Sequence, residues 1–266
     1  MKLFSLKRKA SYHSDSAIDS LRILSDTTPF AVKEAYRSLY SNVLYLPIES
    51  RCKKIAVTSA YPGEGKTSIS INLAYSIAEN SPESTVLIVD SDMRSPRVAE
   101  LINKENHGVH GLSEYLAGID AVPNFQPTVH PNLSFLSSGA TNANTPGLLS
   151  GSRMEAFIQL IDESFDYVIF DTPPVNVVAD AVLLADRIDG YLVATRADFS
   201  DTNSFGEAVK KLETAGAKVF GVVLCAYNAK SGKGYGKSGR YGRYGKYGKY
   251  GKYGSYYGGS DSGNGN

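Results

Sequence analysis

Ile55-Ala56-Val57-Thr58-Ser59-Ala60-Tyr61-Pro62-Gly63-Glu64-Gly65-Lys66-Thr67 sets the reading of the whole chain. A β-branched apolar run ends in a Gly-rich loop, and Ser68-Ile69-Ser70-Ile71-Asn72-Leu73-Ala74 continues with helical spacing. Strand, loop and helix N-terminus in that order is the context a phosphate-binding loop requires. Glycines let backbone N–H groups turn toward an anion, and the helix N-terminus adds unpaired donors and the positive end of its dipole. Pro62, Gly63, Glu64, Gly65, Lys66, Thr67 and Ser68 are therefore the expected nucleotide-binding residues. Lys66 is expected to reach the β/γ-phosphates and Thr67 to ligate Mg²⁺. Ala60 stands where the G-x-x-x-x-G-K-[ST] pattern has Gly.

Further along, Thr85-Val86-Leu87-Ile88-Val89-Asp90 is apolar throughout, as buried parallel strands are, and runs into Ser91-Asp92-Met93-Arg94. Carboxylates past the end of a parallel strand lie where open α/β sheets bind ligands. A capping role explains one such Asp but not the pair with Arg94. Tyr167-Val168-Ile169-Phe170-Asp171 repeats the pattern and is followed by Thr172-Pro173-Pro174. With the loop already found, Asp171 is a candidate for holding Mg²⁺.

The other elements alternate. Helices are expected over 29–45, with Thr28 as cap and Pro29 in the first turn, and over 66–79, 146–163 and 202–215. Strands are expected over 54–60, 133–137, 190–195 and 218–225. Short helices are expected over 96–118, closed by Gly118, and a Pro-punctuated connection over 119–132. The pattern predicts an α/β, mostly parallel sheet with helices on both faces. Residues 1–27 read as a flexible segment, 28–229 as the phosphate-loop domain and 230–266 as a separate tail.

The net charge of +1 hides an asymmetry. Residues 230–266 carry eight Lys/Arg and one acid, Asp261, whereas residues 1–229 carry 20 and 26, so +7 faces −6. The tail has no Pro or aliphatic residue but has eight tyrosines: Tyr235, Tyr241, Tyr244, Tyr247, Tyr250, Tyr253, Tyr256 and Tyr257. It cannot bury a core and is expected to be disordered. Cys52 and Cys225 define neither a metal site nor a disulfide framework. The basic start lacks a long apolar signal region, and no apolar run of about 18 residues occurs, so the chain reads as cytoplasmic.

This combination resembles the bacterial tyrosine kinases, in particular the cytoplasmic subunit of Gram-positive capsular and exopolysaccharide synthesis clusters. The resemblance covers roughly residues 28–266. Tyr61–Thr67 resembles the family's Walker A, Leu87–Arg94 its Walker A′ and Val168–Pro174 its Walker B, on a phosphate-loop NTPase fold of the MinD/ParA kind. It implies ATP and Mg²⁺ as cofactors, with Thr67, Asp92 and Asp171 around the metal and Asp92 acting through water. It also implies Asp90, Asp92 and Lys66 as catalytic residues, with Asp90 taking the tyrosine proton, and the eight tail tyrosines as autophosphorylation acceptors. Glu34 and Arg37 match the family's ring-assembly motif, in which one tail enters the neighbouring site, although Tyr40 replaces the final Arg. A membrane-anchored activator that recruits the kinase to the inner face of the membrane is implied, and exogenous protein substrates are possible. A stable nucleic-acid partner is not expected. A partition-type ATPase is the main alternative, although Tyr61 and Pro62 occupy the region where those proteins carry a signature lysine. A tail that binds anionic polymers is an additional reading.

Overall fold

The computed structural model describes residues 23–102, 110–142 and 144–226. The acceptor tyrosines and the expected disorder of 230–266 lie outside them, as does most of 1–27. The chain divides into two units, Met1–Cys225 and Ala226–Asn266, and the fold is that of the first.

Seven strands form one sheet: β1 (Lys53–Ser59), β2 (Val86–Asp90), β3 (Gln126–Pro127), β4 (Leu133–Leu136), β5 (Tyr167–Asp171), β6 (Gly190–Arg196) and β7 (Val219–Cys225), in spatial order β3-β4-β2-β5-β1-β6-β7. Every neighbouring pair is parallel except β3 with β4. Among the described residues seven helices form: α1 (Phe30–Leu44), α2 (Lys66–Asn80), α3 (Val98–Ile102), α4 (Leu112–Leu116), α5 (Thr145–Leu149), α6 (Ser152–Ser164) and α7 (Thr202–Thr214). A 3₁₀ turn, Val182–Leu184, precedes β6.

Alternation along each strand divides the core into two layers. Ile55, Val57, Ile88 and Ile169 face α1, α2 and α3, together with Val43, Ile69, Leu73 and Val98. Ala56, Leu87, Val89, Val168 and Phe170 face the other side, with Phe157, Ile161, Leu149 and Leu212. Side chains of successive strand residues point to opposite faces, so a strand covered on both sides must be apolar at every position. This is why the central strands lack a polar face. Eleven of the fifteen α2 residues are buried, which leaves the helix after the phosphate loop wedged between sheet and α1 with almost no solvent side.

Three local expectations differ from the structure. Thr28 does not cap α1: Pro29 is the cap residue, with no side-chain cap bond, and its carbonyl accepts from Val32 and Lys33 N–H. The Thr28 hydroxyl instead accepts from Ser25 N–H at 2.9 Å. The helix expected over 146–163 is two, α5 and α6, because Gly151 takes an extended conformation (φ −79°, ψ 163°) between them. Within 119–132, Gln126–Pro127 adds a two-residue antiparallel edge, where Pro is tolerated because an edge position need not donate on both sides. Gly118 does close the α4 turn, at φ 77°, accepting the left-handed conformation that L side chains resist.

Ahead of α1, Leu24 N–H donates to Asn72 Oδ1 at 2.8 Å and Ile23 packs on the α2 side of the core. Among the described residues no helix is long and apolar enough to cross a membrane.

Candidate active site

The strand order places β5 between β2 and β1, with Asp90 opposite Asp171 in register and Asp171 opposite Val57. The phosphate loop and both acid-bearing strand ends therefore meet on one rim. The loop turns through Gly63 (φ 89°) and Gly65 (φ 92°). A Cβ on Gly65 would also lie 3.1 Å from Cys225 Sγ, at the end of β7. Conformation and close approach together require glycine there.

Glu64 stiffens the loop from within. Its carboxylate is 2% exposed and accepts from Tyr61 N–H at 2.8 Å and from the Ser200 hydroxyl. Its own N–H stays available as a loop donor, the part of Glu64 that phosphate binding would use. Pro62 and Gly63 are exposed, Ser68 is half-buried and Thr67 is buried at the start of α2.

Lys66 lies within the acidic rim. Its Nζ is 2.9 Å from Asp92 Oδ2 and 3.8 Å from Asp171 Oδ2. Burial opposes its charge, but Asp171 and Asp92 outweigh burial and hold the ammonium above its ordinary pKa. Asp171 accepts from Ser70 Oγ at 3.0 Å. Burial pushes its carboxyl above the usual carboxylate range, against the opposing pull of Lys66 and the Thr67 hydroxyl. Asp90 is fully buried, and burial with Asp171 beside it raises it to about 7. Its Oδ1 accepts from Asp92 N–H at 3.2 Å, and its Oδ2 from Arg97 and Val98 N–H at 3.0 and 2.9 Å. Asp92 Oδ1 accepts from Ser95 N–H at 3.0 Å, which folds the segment after β2 back over the rim.

One ammonium faces three carboxylates, a balance that favours a cation. Among the described residues Asp171 Oδ2 is buried with no hydrogen-bond partner, a costly condition that a bound metal ion relieves. Among the described residues no group of three His, Cys, Asp or Glu side chains closes into a metal cage. Mg²⁺ does not need one, since it keeps several waters and takes one or two carboxylates plus substrate phosphates. The residues present fit that ion.

Several supporting groups escape sequence reading. Asp180, 1% exposed, takes a two-pronged contact from Arg94, with Nε to Oδ2 at 2.6 Å and a second nitrogen to Oδ1 at 3.1 Å. Asp180 lies in no motif, nine residues after Asp171. Ser70 is one helical turn after Lys66, a spacing that could have suggested a shared face, and Ser200 comes from the β6–α7 connection. Asn176 Nδ2 donates to Ser204 backbone O at 2.8 Å, while its Oδ1 is buried without a partner.

Glu34 and Arg37 are not brought to this rim. They sit on α1, about 45% exposed, and pair with each other at 2.6 Å. Tyr40 leaves their face: its hydroxyl bonds Ser81 Oγ at 2.7 Å against α2. Three residues advance a helix by about 300°, so a three-residue ladder drifts about 60° per step. Over two steps that drift carries Tyr40 from the exposed face to the packed one.

Comparison with known proteins agrees with this fold. An AAA domain family model matches residues 52–214. The tyrosine-protein kinase CpsD of Streptococcus pneumoniae serotype 4 is 32% identical over 193 residues, which is 72% of this chain and 83% of CpsD. The kinase domain of the Escherichia coli tyrosine kinase ETK superposes with a TM-score of 0.67 at 28% identity, over 77% of this chain and 80% of that one. The septum site-determining protein MinD of Pyrococcus horikoshii, solved with Mg-ADP, reaches a TM-score of 0.53 at 18% identity over 65% of this chain and 70% of MinD, and shares the fold alone.

Proposed function

Since the chain belongs to the bacterial tyrosine-protein kinases built on the AAA domain, we propose that it transfers the γ-phosphoryl group of ATP to the tyrosines of its own C-terminal cluster. The observation that carries this reading is the rim where Lys66 meets Asp92 and Asp171 behind the Gly63–Gly65 turn, in a chain that ends in eight tyrosines.

The N–H groups of Gly63 to Ser68 and the Lys66 ammonium bind and orient the β/γ-phosphates. Thr67, Asp171 and, through water, Asp92 would hold Mg²⁺, which would supply positive charge to offset that of the phosphates. A phenol with a pKa near 10 is a weak nucleophile at neutral pH. Asp90, at about 7, suits acceptance of its proton, because a base is most effective when its pKa lies near the working pH. Its Oδ2 keeps the Arg97 and Val98 N–H groups, while Oδ1, which accepts from Asp92 N–H, has a lone pair left for the proton. As the proton passes to Asp90, a bond forms from the phenolic oxygen to Pγ, the bond from Pγ to the β,γ-bridging oxygen breaks, and ADP leaves with that electron pair.

Transfer takes place between copies in a ring contacted through Glu34 and Arg37, without a contribution from Tyr40, which packs against α2. A random coil of about 37 residues, the length of 230–266, has a root-mean-square span of roughly 30–36 Å, enough to reach a neighbour. Each phosphate adds about −1.5 to −2 of charge, so four of them roughly cancel the +7 tail and favour disassembly. The chain works in capsule or exopolysaccharide synthesis from the cytoplasmic side of the membrane, recruited by a membrane-anchored activator. Its own tail is the first of its protein substrates.

The test is incubation with Mg-ATP, with and without the activator's cytoplasmic segment, followed by phosphosite mapping and an ATP-turnover assay. Phosphotyrosine within 235–257 is expected. Steady ATP turnover with no phosphotyrosine would instead make the chain an ATPase switch of the MinD kind.

A further inference from the structure

Beside the rim, a cleft of about 360 Å³ opens between the segment after β2 and the end of β4. Sites for small ligands run from roughly 300 to 1,000 Å³. Pro96, Arg97 and Glu100 line one wall and Ser137, Ser138 and Thr141 the other. The sheet explains the location. β4 lies next to β2 with Leu136 opposite Val89, so Ser137 follows at the level of Asp90. Arg97 joins the cleft to the rim through its N–H, 3.0 Å from Asp90 Oδ2.

Two features mark the cleft as a built site. Ser137 is 4% exposed, and among the described residues its hydroxyl, which lies on the Gly111 side of the wall, has no hydrogen-bond partner, a condition rare in native proteins. The Ser137 wall is also braced from behind. Glu114 accepts from Gly111 N–H at 2.7 Å, Ser113 Oγ at 3.0 Å and Ala140 N–H at 2.9 Å. Against burial, the Gly111 and Ala140 N–H groups hold its carboxyl below the ordinary value. The loop over 137–140 is thus tied to α4 by a charged anchor.

The opposite wall carries the charge. Glu100 Oε2 lies 3.7 Å from Arg97 Nε, beyond normal hydrogen-bond length, so the carboxylate keeps acceptor capacity for a second cation. The tail offers such cations in a fixed place. Five of the eight tyrosines directly follow a basic residue: Arg240-Tyr241, Arg243-Tyr244, Lys246-Tyr247, Lys249-Tyr250 and Lys252-Tyr253. Tyr235 follows Gly234, Tyr256 follows Ser255 and Tyr257 follows Tyr256.

We infer that this cleft is the acceptor subsite, and that Glu100 selects tyrosines preceded by Lys or Arg. The inference rests on the tail phosphorylation proposed above. In an extended segment successive side chains point to opposite sides. A tyrosine directed inward to Asp90 therefore sends the preceding Lys or Arg outward to Glu100, which shares it with Arg97.

The experiment follows initial phosphorylation rates at each tail tyrosine of the full chain in Mg-ATP by quantitative mass spectrometry. Glu100→Lys is expected to lower Tyr241, Tyr244, Tyr247, Tyr250 and Tyr253 about fivefold relative to Tyr235, Tyr256 and Tyr257, the scale of one exposed ion pair. Glu100→Gln is expected to fall between Glu100→Lys and wild type. Replacing the five preceding cations by Glu is expected to reverse the preference, so that Glu100→Lys becomes the better enzyme for that tail. A site ratio unchanged in Glu100→Lys, whatever happens to the total, overturns the inference. Wild type that puts no phosphate on the tail overturns the proposed function, and the subsite with it.

Discussion

The rim around Lys66 and the outer face of α1 were both read from short spaced motifs, and the fold treats them differently. At the rim, residues at or beyond the ends of three strands converge: Lys66 lies 2.9 Å from Asp92 and 3.8 Å from Asp171, and all three are largely buried. On α1, Glu34 pairs with Arg37 on the surface. A chemical motif at the ends of buried parallel strands inherits its geometry from the sheet, which cannot shift without disrupting two core layers. An interface motif on an exposed helix inherits nothing of the kind. Its geometry is completed by a partner, and one chain shows only half of it.

The largest expected effect tests the rim. Lys66→Met is expected to lower tail phosphorylation by about 10³-fold, the upper scale for removing one preorganised charge from a transition state, read by phosphotyrosine formation under saturating Mg-ATP. An effect under tenfold would place the phosphates elsewhere. Next is Asp90→Asn, which keeps shape and acceptor oxygen while removing the base. A loss of about 10²-fold is expected, measured at an ATP concentration that also saturates Asp92→Asn, so that the two carboxylates can be ranked.

The third effect concerns stability. Arg94→Ala leaves the buried Asp180 carboxylate without its two-pronged partner. Because Arg94 is itself partly exposed, the expected cost is about 1–3 kcal/mol, read as a lower urea midpoint with unchanged slope. Within α1 the comparison sharpens further. Tyr40→Phe loses the bond to Ser81 and is expected to cost about 1 kcal/mol. Glu34→Ala is expected to cost under about 0.5 kcal/mol while changing sedimentation of the assembled protein. If Glu34→Ala destabilised the monomer more than Tyr40→Phe, the α1 face would be structural.

The legible parts of this chain share a physical property. Strands β1, β2 and β5 are visible because a strand covered on both faces must be apolar at every position, and Asp90 and Asp171 stand out where that run ends. The loop is visible because Gly63 and Gly65 occupy positive φ. What escaped depends on contacts distant in sequence. Asp180 is recognisable only once Arg94 reaches it, and Glu64 braces the loop only because Ser200 arrives from β6. Glu114 holds a loop more than twenty residues away. The break at Gly151 escaped because helical spacing continues through it, and the Thr28 cap failed because Ser25 already uses its hydroxyl. The Glu34–Arg37–Tyr40 ladder looked continuous only because a step of three was treated as a full turn.

The central claim is that the rim is the phosphotransfer centre and the tail its acceptor, and the two can be separated by mixing. Full-length Lys66→Met, which keeps all eight tyrosines, is incubated with Mg-ATP and a wild-type chain ending at Ala229, and phosphotyrosine is mapped on the longer protein. Phosphate on Tyr235 to Tyr257 of the Lys66→Met chain is expected, and none when the shorter chain also carries Lys66→Met. An unmodified tail, while the shorter chain still turns over ATP, would contradict the account.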